Sequence, residues 1–102
     1  MVARVTHYHV RPGKVEEFIT TITALTSALD QVKGFRLLLV LRGEDPKSRE
    51  VTSISIWDSP EDVRNSDSDA RYYNAISRLI GCCESFDLMH GHEVLMAKFA
   101  NP

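Results

Sequence analysis

The feature that most constrains this chain is a stripe of apolar residues following a β-like run. Val15, Phe18, Ile19, Ile22, Leu25, Leu29 and Val32 recur at three- and four-residue steps, which places them on one face of a 3.6-residue period. A helix with such a face must lay it against another apolar surface. Glu16 and Glu17 stand in its first turn, at the positive end of the helix dipole, and Lys33-Gly34 closes it with a cation and a left-handed cap. Upstream, Val2 to Val10 has the β-branched and aromatic content of a strand and is broken by Arg11-Pro12-Gly13-Lys14.

Two more strands follow the helix, Phe35 to Arg42 and Glu50 to Trp57, joined by the turn residues of Gly43-Glu44-Asp45-Pro46-Lys47 into an antiparallel hairpin. Thr52, Ile54 and Ile56 point to one side of the third strand, and Ser53, Ser55 and Trp57 to the other. Ser59-Pro60-Glu61-Asp62 spells a helix start, with Ser59 as N-cap, Pro60 where its missing N–H costs nothing, and Asp62 completing a capping box. Ser66 or Ser68 is positioned to cap a longer helix whose stripe is Tyr72, Tyr73, Ile76, Leu79 and Ile80, ending near Gly81. Leu88 to Phe99 is expected as the last strand, bulged at Gly91.

The order strand, helix, strand, strand, helix, strand predicts an α+β fold of ferredoxin-like βαββαβ type, one domain over residues 1–102 with both helices on one face of an antiparallel sheet. The other face is left open. A domain of this length buries only about two-thirds of its unfolded surface, so a homodimer that packs two open faces together is the expected remedy.

Twelve Lys and Arg against fourteen Asp and Glu are interspersed along the chain, which argues against nucleic acid as a partner. The longest apolar run, Leu37 to Leu41, is far short of the roughly 20 residues a membrane helix needs. Arg4, His7 and His9 occupy the place of a signal peptide's apolar core. The two cysteines, Cys82 and Cys83, are adjacent, so they lack both a secreted disulfide framework and Cys-x-x-Cys redox spacing. They read as small buried thiols at a helix end in a cytoplasmic protein.

The first strand running into Arg11-Pro12-Gly13-Lys14 and Glu16-Glu17-Phe18, the hairpin ending Ile56-Trp57, and Ser59-Pro60-Glu61-Asp62 after it resemble the antibiotic biosynthesis monooxygenase family of dimeric α+β barrels. The likeness covers nearly the whole chain through loose motifs. That family includes oxygenases that need no cofactor, quinol monooxygenases, isomerases and haem-degrading enzymes, so fold alone does not choose among activities. The haem-degrading branch has an Asn, a Trp and a His where this chain has Thr6, Ser66 and Ile76, a departure that argues against that chemistry.

The resemblance implies a substrate cavity between the sheet and the helices. Thr6, Tyr8 and Val10 are assigned to the helix-facing side of the first strand, and Tyr72 and Tyr73 to the second-half helix, one of them inward; Trp57 is expected at the cavity rim or in the subunit interface. A cofactor-independent monooxygenase acting on a quinol-like or polycyclic aromatic molecule must bind a flat ring, take a proton and stabilise the resulting anion. Tyr73 and Tyr8 are the catalytic candidates, since their hydroxyls can hydrogen-bond a substrate oxygen; Thr6, Trp57 and Tyr72 are the binding candidates. Taken singly, each aromatic reads first as plain core. No carboxylate or histidine is assigned to the helix-facing side, so the base is unassigned. That gap favours the alternative, a non-catalytic dimer that binds a small ligand.

All four histidines fall into His-x-His units, His7 with His9 and His90 with His92, and residues i and i+2 share a strand face. If Leu95, Ala97 and Phe99 are the packed side of the last strand, the four imidazoles converge on the open face between the first and last strands. There they would bind a transition metal, or form an unmetallated cluster with lowered pKa values that acid loosens.

Overall fold

The computed structural model describes residues 1–101, apart from the side chain of His90. Strand β1 (Val2–Val10) turns at Gly13, whose φ of +77° suits a residue without Cβ, into helix α1 (Val15–Leu29). Strands β2 (Phe35–Arg42) and β3 (Glu50–Trp57) form the hairpin; helices α2 (Pro60–Ser66) and α3 (Ala70–Gly81) follow, and β4 (Cys83–Glu93) ends the sheet. All pairs are antiparallel in the order β2-β3-β1-β4, which is the ferredoxin-like α+β arrangement.

Local chemistry explains where the elements stop. Helix α1 ends at Leu29, before the expected closure at Lys33-Gly34, because the chain must reverse to bring Phe35 onto Trp57, ring centres 5.6 Å apart. Gly34 still takes a φ of +83°, and any side chain there would run into Asp62. Ser59 caps α2 as its position predicts, accepting a bond from the Asp62 N–H at 3.2 Å. The α3 cap is Asp69, not Ser66 or Ser68: its carboxylate accepts from the N–H groups of Arg71 and Tyr72 at 3.0 and 3.1 Å. A carboxylate suits a helix N-terminus better than a neutral hydroxyl, and the Ser66 hydroxyl is already donated to the Val63 carbonyl at 2.6 Å inside α2.

The largest correction concerns the last strand, which begins at Cys83 rather than Leu88. The chain turns straight from the Cys82 cap of α3 into the sheet, with the Arg11 N–H on the Cys82 carbonyl at 2.9 Å. Pairing with β1 therefore runs from Val10 opposite Cys83 to Val2 opposite Glu93, with an irregularity where Gly91 takes a φ of +77°. Leu95 and Phe99, expected on the packed side, lie beyond the strand and are 90% and 76% exposed.

The core lies between the sheet and the helices. Trp57, Phe18, Leu79 and Val10 are its fully buried large side chains, and Tyr8 meets Phe18 edge-on at 5.1 Å. The helix-facing row of β1 includes Thr6, Tyr8 and Val10 as assigned, all buried. On β3 the buried row is Val51, Ser53, Ser55 and Trp57, while Thr52, Ile54 and Ile56 face the other way. That opposite sheet face is uncovered.

Candidate active site

A cavity of about 120 Å³ opens between the helix-facing side of the sheet and helices α1 and α3. Ile22, Leu25 and Leu29 form its α1 wall, and Ile76 and Ile80 its α3 wall. Its floor is polar. Arg4, Thr6 and Tyr8 reach it from alternate positions of β1, and Ser53 and Ser55 from β3. Two serines turned under the helices while two isoleucines face outward is the reverse of what burial alone selects, and it leaves hydroxyls rather than methyls around the space.

These hydroxyls are mostly held by one another. Ser55 accepts from the Trp57 indole N–H at 2.9 Å, and the Ser53 hydroxyl lies 3.5 Å from that of Tyr8. Burial pushes the Tyr8 phenol upward, partly offset by hydrogen bonds to Ser53 and Thr6. Tyr72, also buried, is pushed upward for the same reason and drawn back by the nearby Arg4 cation. Both phenols are therefore neutral at physiological pH and available as hydrogen-bond donors.

The tyrosine pair divides its work differently from the sequence expectation. Tyr72 is the inward residue, at 6% exposure, whereas Tyr73 is 61% exposed and stands at the cavity mouth. Trp57 reaches neither the rim nor the open face: it is fully buried behind Tyr72, ring centres 6.3 Å apart, and it does not line the cavity. Its role is to hold Tyr72 in place. Cys82 and Cys83 are both buried, and loss of solvent together with the adjacent Cys82 thiol pushes Cys83 up to about 11, so it remains an inert thiol.

The sequence reasoning missed two charged residues here. Arg4, its side chain 22% exposed, lies with Nη1 3.7 Å from an Asp67 carboxylate oxygen, and both line the cavity. Arg4 could have been found, since it shares the alternation of Thr6 and Tyr8. Asp67 could not: it sits in the connection between α2 and α3, outside any periodic pattern. A carboxylate is thus present on the helix-facing side after all.

The histidines do not converge as expected. His7 stands opposite Asp87 and His9 opposite Ser85, whereas His92 stands opposite Ala3, six residues back along β1 and about 20 Å from His9 at strand spacing. The side chain of His90 lies outside the described residues. His7 pairs instead with the Thr52 hydroxyl at 2.7 Å. His9 holds Glu50 through Nδ1 at 2.7 Å and Asp87 through Nε2 at 3.5 Å. These hydrogen bonds to carboxylates push its pKa up, opposite to the lowering a histidine cluster would cause. Its two nitrogens point apart, so the carboxylates cannot share one ion with it, and no metal-ligand grouping occurs among the described residues.

A model of the family described as "Antibiotic biosynthesis monooxygenase" matches residues 1–77. No curated protein matches the sequence at a significant level. Among solved structures, the chain is similar to SnoaB, a cofactor-independent oxygenase from Streptomyces nogalater, with a TM-score of 0.75 and 18% identity over 92% of this chain and 95% of that one. It is similar to a conserved protein from Methanosarcina mazei with a TM-score of 0.72 and 18% identity, covering 87% and 92% of the two chains. A protein from Shewanella oneidensis gives 0.77 and 16%, covering 90% and 89%. At these identities the likeness is one of fold.

Proposed function

We propose, for a chain that belongs to the antibiotic biosynthesis monooxygenase family, the activity of a cofactor-independent oxygenase acting on a quinol-like or polycyclic aromatic molecule. The observation that carries this reading is the inverted third strand: Ser53 and Ser55 face a cavity with apolar walls, beside Tyr8, Tyr72 and Thr6. Apolar walls take the flat face of a ring, and convergent hydroxyls take its oxygen. A volume of about 120 Å³ suits one ring, with any further ring of a polycyclic substrate passing Tyr73 at the mouth.

In such a reaction the ionised phenol gives an electron to dioxygen, the resulting radical pair combines at a ring carbon, and loss of water leaves a quinone. One phenol bearing a ring C–H and one O2 give one quinone and one H2O, so atoms and electrons balance without an external reductant. The task left to the protein is to hold the ring, ionise it and exclude water. Tyr8 and Tyr72 are placed to donate hydrogen bonds to the developing charge, and Tyr73 to cover the entrance.

Residues 1–102 act in this reading as a single domain, and two copies join through the open sheet face, which carries Leu37, Leu39, Leu41 and Met89, all more than a third exposed. Leu95, Met96 and Phe99, still more exposed, follow the end of β4. No described helix is long and apolar enough to cross a membrane; a cytoplasmic location fits the two free thiols. Oxygen-electrode traces with a panel of hydroquinones test the activity. Protein-dependent uptake supports it; ligand binding without uptake selects a non-catalytic small-ligand-binding dimer instead.

A further inference from the structure

Arg4 is a charged residue on a strand row otherwise turned into the interior, next to Thr6 and Tyr8. Withdrawing a guanidinium from water is costly unless anions or acceptors replace the solvent. Its replacement is incomplete: the Asp67 oxygen at 3.7 Å is beyond hydrogen-bond length, and its other polar neighbour on the cavity side is the Tyr72 hydroxyl. A guanidinium carries five N–H donors. The gap between Arg4 and Asp67 opens on the cavity, beside the Tyr72 hydroxyl, whose ionisation Arg4 already favours.

A phenolic hydroxyl matches that gap on both sides, because its oxygen accepts from a cation while its hydrogen is donated to a carboxylate. We propose that Arg4 and Asp67 form the deprotonation centre of the cavity: a substrate phenol passes its proton to Asp67 and leaves its oxyanion on the Arg4 guanidinium. This deepens the oxygenase reading and rests on its assignment of an aromatic substrate. The phenolic O–H bond breaks, the proton ends on an Asp67 carboxylate oxygen, and the electron pair stays on the substrate oxygen, so no redox partner enters this step. Asp67 is 62% exposed in its side chain, which lets it return the proton to bulk water. Tyr8 and Tyr72, held neutral by burial, donate to the oxyanion but cannot serve as the base.

The substrate class narrows accordingly. A ring whose hydroxyl leads into the cavity, with its remaining bulk toward Tyr73, places that oxygen at Arg4. A ring with only ether or methyl substituents leaves Arg4 without an anion and Asp67 without a proton donor.

The probe is 4-nitrophenol, whose visible absorption reports its own ionisation near neutral pH. Titrated with pH in the presence of saturating wild-type protein, its half-ionisation point should move down by about one pH unit, the effect of an opposite charge within contact distance. Arg4→Met, which keeps an apolar stem of similar length, should abolish the shift, and Arg4→Lys should restore part of it. Asp67→Asn removes the competing anion and mimics the carboxyl after proton transfer. It should enlarge the shift while lowering hydroquinone-dependent oxygen uptake by about 100-fold, the usual worth of a general base. The proposal is overturned by no shift with wild-type protein, by a shift that survives Arg4→Met in a variant with an unchanged thermal melt, or by uptake indifferent to Asp67→Asn. A full probe shift without oxygen uptake by any hydroquinone removes the oxygenase reading and leaves the anion site standing; uptake without a probe shift does the reverse.

Discussion

On the helix side of β3 stand Ser53 and Ser55, in line with Arg4, Thr6 and Tyr8 of β1. On its other side stand Ile54 and Ile56, flanked by Leu37 and Leu39 of β2 and Val5 and Met89 of the β1–β4 pair. At the middle of β3 the covered side is thus the more polar of the two, and the uncovered side the more apolar. The covered side leaves hydroxyls and a guanidinium around a void, and the uncovered side leaves a row of leucines and isoleucines in solvent, the kind of patch that marks an interaction surface. The difference teaches that hydrophobic alternation alone, read from one chain, assigns the middle of β3 backwards although it assigns β1 correctly.

The sharpest contrast lies within the covered face, between residues that line the cavity and residues that fill the core behind it. Trp57 has no exposed surface and packs on both Phe35 and Tyr72. Trp57→Ala is expected to cost about 3–5 kcal/mol of stability, the range for large aromatic truncations, measured by urea unfolding. A loss below about 1 kcal/mol with ligand binding abolished would return Trp57 to the cavity wall and erase the distinction.

The uncovered face is broken differently. Leu39 is 45% exposed in the single chain, so Leu39→Asp should scarcely affect the fold of one subunit while placing a charge in the middle of a paired surface. Sedimentation of the wild type should give about twice the 11.5 kDa chain mass. The variant should weaken that dimer by at least about 2 kcal/mol, the cost of a central interface residue, or roughly 30-fold. A monomeric wild type would show that something other than a second copy covers these leucines.

These contrasts also mark what was legible beforehand. Element order, topology and the helix-facing row of β1 followed from period and turn chemistry, because Val15 to Leu29 and Val2 to Val10 have a single apolar pattern each. The start of β4 did not, since Cys83 to Asp87 alternates too weakly to outrank the apolar run Val94-Leu95-Met96. That one slip displaced the whole pairing register with β1 and brought His92 beside His7 and His9 on paper. Within the site, Tyr8 and Thr6 were found by alternation. Asp67 was not, because a turn residue becomes a cavity residue only through the long-range docking of α3 on the sheet.

Hydroxyl deletions on the covered face should have smaller effects than either substitution above. Tyr8→Phe and Tyr72→Phe keep both rings and their edge contacts, so stability should change by no more than about 1 kcal/mol. Affinity for hydroquinone, followed by calorimetry, should fall about 3- to 10-fold in each, the worth of one hydrogen bond. Equal affinities in both variants would leave the tyrosines as walls.

The smallest effect belongs to the edge of the uncovered face, where His9 lies between Glu50 and Asp87 with His7 and Thr52 alongside. The carboxylates raise the folded-state pKa of His9 above its unfolded value of about 6.5. A raised pKa means the folded state binds the proton more tightly, so the stabilisation is fully present below about pH 6.5 and disappears as pH rises through the folded value. Partial exposure and salt keep it small. Thermal melts from pH 5.5 to 8.5 should therefore show His9→Gln losing most relative to wild type at the acid end and converging with it at the alkaline end. Four close imidazoles would give the opposite slope, with wild type loosening in acid. A flat difference between the two proteins would mean that Glu50 and Asp87 hold His9 no more firmly than water does.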